Sequence, residues 1–230
     1  MLEPRSRGAF RANRGLPGAP GPRLGRLVRM KIFGSTSSPY VRRVRVVAIE
    51  VDEPIDLVDT TSEAGMAALH EVSPIGKVPT AIIDGRTIYD SRVIDHWLVS
   101  TRGWHGLTPP RDPWRDENII NAIDSALDAI VQVFYLQRGG LPIDGTAYAQ
   151  RRLDRTATVL GWLARQLGPS RISFDPTPGG SLGLAEIALI SALDWMDFRE
   201  SYPTARASEL APLRAAWHDH PSLAATRPRE

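Results

Sequence analysis

The chain has 230 residues, 42% of them hydrophobic, with 28 basic and 26 acidic side chains and no cysteine. That length suits one large or two modest domains around an ordinary apolar core. The lack of cysteine excludes disulfides, thiolate zinc sites and any redox thiol of the protein's own, and suits a reducing compartment.

Charge is unevenly spread. Residues 1–29 hold seven arginines against the single acid Glu3, and the rest of the chain holds 21 basic and 25 acidic residues. The basic character therefore belongs to a Gly-, Pro- and Arg-rich leader. The acidic body argues against a nucleic-acid surface on the folded part. With no apolar run, the leader is expected to be disordered and to be no secretory signal. It reads either as an upstream start-site extension, with Met30 the true start, or as a disordered arm or targeting segment. No stretch is expected to reach membrane-spanning length. The most apolar segment, Leu182–Phe198, is interrupted by Glu186, Asp194 and Asp197 and reads as a buried core helix.

From Met30 the elements follow in order. Lys31–Gly34 is a short strand, and Ser35 to Ser38 form a polar loop. Pro39 suits the first turn of a helix that Ser38 caps. That helix runs to about Glu50, with Val41, Val44, Val47 and Ala48 inward. Pro54–Val58 is a second strand and Thr61–Glu71 a helix of weak pattern. Val78–Ile83 and Arg86–Tyr89 form a hairpin about Asp84-Gly85, a pair that supplies the positive φ angles of a tight turn. A helix opens at Asp90-Ser91 and ends near Ser100. The order is βαβ, α, ββ, α, which implies a mixed sheet. Gly103–Pro113, with three prolines and two glycines, reads as a linker. Beyond it Trp114–Arg138, Gly145–Leu167, Gly183–Arg199 and Ser208–His218 carry helical spacing, with a loop at Gly168–Gly180. The domains expected are thus 1–29 leader, 30–102, linker 103–113 and 114–230.

Three local features suit one anion-binding edge. Ser38 stands at a helix N-terminus, where free amides and the helix dipole favour negative charge. A cis Val78–Pro79 bond would leave the Val78 amide and carbonyl free. Asp90-Ser91 sits at another helix start. Each has a plainer explanation: Ser38 as a cap, Asp90-Ser91 as an ordinary helix opening, Lys77 as an exposed surface cation. Ser35 or Ser37 could stand in for Ser38. Arg42 and Arg43 suit a solvated face or an ion pair between domains. His218-Asp219-His220 has metal-like composition, but no metal site is expected. Met66, Trp195 and Met196 read as core filling.

Taken together, Gly34 with Ser38-Pro39-Tyr40-Val41-Arg42-Arg43, then Ser73-Pro74-Ile75-Gly76-Lys77-Val78-Pro79, then Ile88-Tyr89-Asp90-Ser91 resemble the N-terminal domain of cytosolic glutathione transferases. The resemblance covers residues 30–100. The helical half also looks like that family, and Leu184-Ala185-Glu186-Ile187-Ala188 resembles its capping box, with Gly183 in place of the usual Ser or Thr. The segment Pro221–Pro228 looks like the family's tail. The fold implied is α/β plus all-α: a thioredoxin-like βαβ-α-ββ-α N-terminal domain followed by an all-helical C-terminal domain. The resemblance further implies glutathione as co-substrate, a small hydrophobic electrophile, a homodimer and a cytoplasmic location, with no nucleic acid or membrane partner. Ser38 matches the catalytic position. Val78, next to Pro79, would pair with the cysteinyl backbone, Asp90 and Ser91 with the γ-glutamyl group, and Lys77 with the glycyl carboxylate. The electrophile would lie between the domains, near Ser38 and Trp114–Asn118.

Thiol chemistry sets the size of the task. A free thiol titrates near 8.5, and lowering it by about two units needs roughly 2.7 kcal/mol. One hydroxyl donor to an anion supplies about 1.5–3 kcal/mol, and a helix terminus about 0.3–1. Ser38 is thus expected to be a donor, not a nucleophile. Lacking cysteine, the chain cannot form a mixed disulfide. The alternative is a non-catalytic glutathione-binding or scaffold protein.

Overall fold

In the computed structural model the described residues are 30–166 and 182–229. The leader 1–29 and the expected loop Gly168–Gly180 lie outside them. Strand β1 (Met30–Gly34) leads into helix α1 (Pro39–Glu50), followed by β2 (Ile55–Asp59), α2 (Glu63–Val72), β3 (Thr80–Ile83), β4 (Arg86–Ile88) and α3 (Ser91–Arg102). Helices α4 (Pro113–Arg138), α5 (Ala147–Ala164), α6 (Leu184–Phe198), a 3-10 segment (Thr204–Leu210), α7 (Ala211–Trp217) and α8 (Pro221–Ala225) follow. The sheet order is β2-β1-β3-β4, with β1 and β2 parallel and the other two pairings antiparallel. A four-stranded mixed sheet with helices, followed by a helical region, is the expected architecture.

Helix α1 shows how packing overrides local preference. Four of its residues are valine, a β-branched type that disfavours helix, yet Val41, Val44, Val46 and Val47 are all fully buried. The helix lies against α3 and α6, so apolar contact on more than one face holds it. Its approach to β1 is tight: a Cβ on Gly34 would overlap the Val41 side chain. Gly34→Ala is therefore expected to force this junction apart and to cost about 1–3 kcal/mol, read from a chemical denaturation midpoint. An unchanged midpoint would mean that the junction gives way freely.

The β3–β4 hairpin turns through Asp84 at φ 50° and Gly85 at φ 76°, the two positive angles of the expected turn. Helix α2 covers only the sheet's edge. Of its residues only Gly65 and Leu69 are buried, and Met66, expected in the core, is 39% exposed. Trp195 and Met196 are buried as expected. The expected helix Ser208–His218 is instead the end of a 3-10 segment, itself interrupted by non-helical backbone at Ala207, followed by α7. The tail contains a further short helix, α8, with Pro221 in its first turn.

At α6 the cap is Gly183, without a side-chain bond, and a Cβ there would overlap the Glu186 carboxylate. Glycine therefore admits the acid half of the capping box across the helix start. Helix α4 corrects one expectation, since by length and composition it could cross a membrane. Its charges stand at its two ends, Arg115, Asp116 and Glu117 at the start and Arg138 at the finish, with only Asp124 and Asp128 through the middle. Its apolar side is buried against α5 and α6.

Candidate active site

Sheet register brings the three motifs to one end of the sheet. Phe33 pairs with Thr80, so the loop leaving β1 and the segment entering β3 lie side by side. Ile88 pairs with Ala81, so the chain leaving β4 emerges at the same end. These three segments carry Ser38, Lys77-Val78-Pro79 and Asp90-Ser91. An alternating pattern implies strands, but only their pairing makes these segments neighbours.

Ser38 is half-buried and caps α1, accepting a long 3.4 Å bond from the Val41 amide. Its hydroxyl proton has no acceptor among the described residues. The neighbouring hydroxyls are engaged: Ser35 and Ser37 meet at 3.2 Å, and Thr36 donates to the Arg229 carbonyl at 3.2 Å. The first turn of α1 holds no acid, so its positive end is uncompensated. Tyr40, two residues on, donates its hydroxyl to Asp128. Burial and that carboxylate raise the Tyr40 phenol well above its ordinary range, so its proton is committed there.

The Val78–Pro79 peptide is cis, as is Tyr89–Asp90. Val78 is half-buried, and its backbone has no backbone partner among the described residues. Lys77 is exposed, and its carbonyl accepts from Thr80 Oγ1 at 2.9 Å. Asp90 caps α3 through one oxygen, Oδ1, which accepts from the Arg92 amide at 3.1 Å and the Val93 amide at 3.5 Å. Capping thus engages one carboxylate oxygen of an exposed residue. Ser91, the first residue of α3, is buried.

Beneath these loops lie buried charges whose pairing spacing does not disclose. Arg42 and Arg43 are each 2% exposed, not a solvated face. Arg42 Nη1 meets Asp194 at 2.7 Å, and the Arg43 guanidinium spans both oxygens of Asp124. These pairs join α1 to α6 and α4. Their sequence signal is arginine set among the valines of α1. Near Arg43, Asp95 is also buried, and its Oδ1 has no partner. Burial pushes the Asp95 carboxyl well above the usual range against the pull of Arg43, and Asp124 and Asp90 push the same way.

A carboxyl raised on folding favours the folded state fully below its unfolded value. That stability is lost as pH rises toward the folded value, by about 1.4 kcal/mol per pH unit. Asp95→Asn, which stays neutral, should flatten the decline from about pH 4 upward and be at least as stable as the parent at pH 7. Parallel pH–stability curves for the two proteins would sink this expectation.

Trp114, beside which the electrophile was expected, is 82% exposed. One small cleft between α3 and α4 is lined by Arg43, Arg92, Asp95, His96, Ile120 and Leu184. Ser38 is not among its walls. His220 approaches Ser222 at 3.1 Å and Glu50 at 3.6 Å, and His218 lies 3.8 Å from Asp219.

Residues 32–106 match the glutathione S-transferase N-terminal domain. A probable maleylacetoacetate isomerase of Caenorhabditis elegans is 36% identical over 83 residues, which span 35% of this chain and 37% of that protein. A Methylobacterium radiotolerans glutathione S-transferase, solved in complex with glutathione sulfonate, superposes with a TM-score of 0.73 at 26% identity, covering 88% of this chain and 96% of that one. A glutathione transferase family member from Pseudomonas fluorescens, with bound glutathione, gives a TM-score of 0.72 at 27% identity, covering 87% and 100%.

Proposed function

We propose that this chain, whose residues 32–106 match the glutathione S-transferase N-terminal domain, binds glutathione and activates its thiol for attack on a small hydrophobic electrophile. One observation carries the reading: the Ser38 hydroxyl proton is unengaged at the uncompensated N-terminus of α1. A thiolate there would accept that proton in a hydrogen bond and lie in the favourable field of the helix. Ser35 and Ser37, bonded to each other, suit the role less.

The free Val78 backbone is offered to the cysteinyl unit, Asp90 and Ser91 to the γ-glutamyl head group, and Lys77 to the glycyl carboxylate. The Asp90 carboxylate would attract the glutamyl ammonium through the oxygen left over from capping. Residues 30–102 form the glutathione domain in this proposal, 103–113 the linker and 114–230 the helical domain of a cytoplasmic homodimer.

The test is retention on immobilised glutathione, followed by turnover with a generic aryl halide and with isomerisable and dehalogenable substrates. Retention with turnover is expected. Retention without turnover in any class would make it a glutathione-binding or scaffold protein. Failure to bind would remove both the pocket and the residue roles.

A further inference from the structure

Helices α1 and α4 run in opposite senses where they meet. Arg43 pairs with Asp124, and Tyr40, one turn nearer Ser38, pairs with Asp128, one turn further along α4. Side chains three and four apart share a helix face, so Ser38, at the start of α1, stands toward the half of α4 that begins at Asp128. The other end of α4 is occupied, because Glu117 is held by Arg92 and, at 2.6 Å, by His96. Trp114 lies about 20 Å back from Asp128 along the helix axis, at about 1.5 Å per residue.

Asp128 is exposed, and its charge is not cancelled. The Arg43 guanidinium, which lies over the Tyr40 ring, is matched by Asp124. Asp128 meets a neutral donor, the Tyr40 hydroxyl, at Oδ1, and its Oδ2 has no partner among the described residues. Gln132, next on the same face, accepts from the Tyr148 hydroxyl at 3.0 Å. Arg152 is engaged with Tyr148, lying 4.8 Å from its ring centre and donating to its hydroxyl at 3.3 Å. The side of α4 nearest Ser38 therefore presents a carboxylate with one open oxygen and no ion pair.

We propose that Asp128 selects the electrophile by charge: the second substrate is bound between Ser38 and the part of α4 that begins at Asp128, and neutral or cationic electrophiles are accepted over anionic ones. The proposal rests on the glutathione reading above. An open carboxylate oxygen accepts hydrogen bonds and attracts positive charge, and it repels an anionic substituent at the same range. Tyr40 fixes the direction of that oxygen by holding the other one. This location replaces the one expected beside Trp114.

The test uses one chloronitroarene in three forms, carrying a carboxylate, a carboxamide or an aminoethyl amide at the same ring position, with the full chain and saturating glutathione. The glutathione sulfur attacks the carbon that bears chlorine, a C–S bond forms, the C–Cl bond breaks, and chloride leaves with the bonding pair. Each kcat/KM is divided by the rate constant of the same arene with free glutathione. The normalised values should fall from cation through neutral to anion, by about tenfold across the series at low salt. Asp128→Asn, which keeps an acceptor for Tyr40 at an exposed position, should narrow that spread to about twofold. Equal normalised values in the parent, a preference for the anion, or an undiminished spread in Asp128→Asn would overturn the proposal and leave the glutathione reading standing. No turnover of any of the three would remove both.

Discussion

Replacing Ser38 with alanine is expected to leave glutathione affinity nearly intact while raising the pKa of the bound thiol by about one to two units, the equivalent of about 1.5–3 kcal/mol. At pH 6.5 the resulting loss of thiolate would lower kcat/KM roughly 5–50-fold, with recovery at high pH, where the thiol ionises unaided. Absorbance of the bound thiolate against pH reads the first effect directly. The same substitution removes a helix cap, which costs about 0.5–2 kcal/mol of stability; the 3.4 Å length of the Val41–Ser38 bond favours the lower end. The two roles are therefore separable. A drop in stability with an unchanged thiolate titration would make Ser38 a cap alone. Ser38→Thr keeps a donor at the same place and should restore most of the acid shift.

The largest expected loss of stability comes from Asp194, not from the loop that carries Ser38. Its carboxylate joins Arg42 of α1 and Arg214 of α7 to α6. Asp194→Ala would leave Arg42, at 2% exposure, with only the Leu223 carbonyl at 3.2 Å. Stranding a buried guanidinium costs about 3–5 kcal/mol, or a fall of roughly 6–20 °C in Tm for a chain of this size. Asp194→Asn, which keeps an acceptor, should fall between. A double replacement, Arg42→Met with Asp194→Leu, should recover much of the loss, because removing both charges removes the desolvation penalty with them. If Asp194→Ala changed Tm by less than about 2 °C, Arg42 would have to be solvated or paired elsewhere.

These two expectations differ in how visible their residues are before folding. Ser38 announces itself through local chemistry: a hydroxyl before proline at a helix start is legible within four residues. Asp84-Gly85 is legible for the same reason, since its backbone angles are a property of the two residues alone. Asp194 has no such signal. It stands in an apolar helix, and its partners lie 152 and 20 residues away. Met66 shows the converse error: a methionine at helical spacing looks like core until the helix is found at the sheet's edge.

By itself the sequence determined the alternation of strands and helices through residue 102, the helical second half, the caps at Ser38 and Asp90 and the exclusion of thiol redox chemistry. All of these rest on local periodicity, capping and composition. Only the tertiary structure decided that Ser38, Val78 and Asp90 leave the sheet at one end, because that follows from strand register. It likewise decided that the Ser38 hydroxyl has no acceptor among the described residues while Thr36 donates to the Arg229 carbonyl and Ser35 and Ser37 share one bond, a matter of which acceptors the fold brings within reach. It also chose between the two expectations for Arg42 and Arg43, a solvated face or an ion pair: both are buried and ion-paired, to α6 and α4, because α1 is enclosed by its neighbours. Burial and long-range pairing are properties of the packed chain, so no window of sequence contains them.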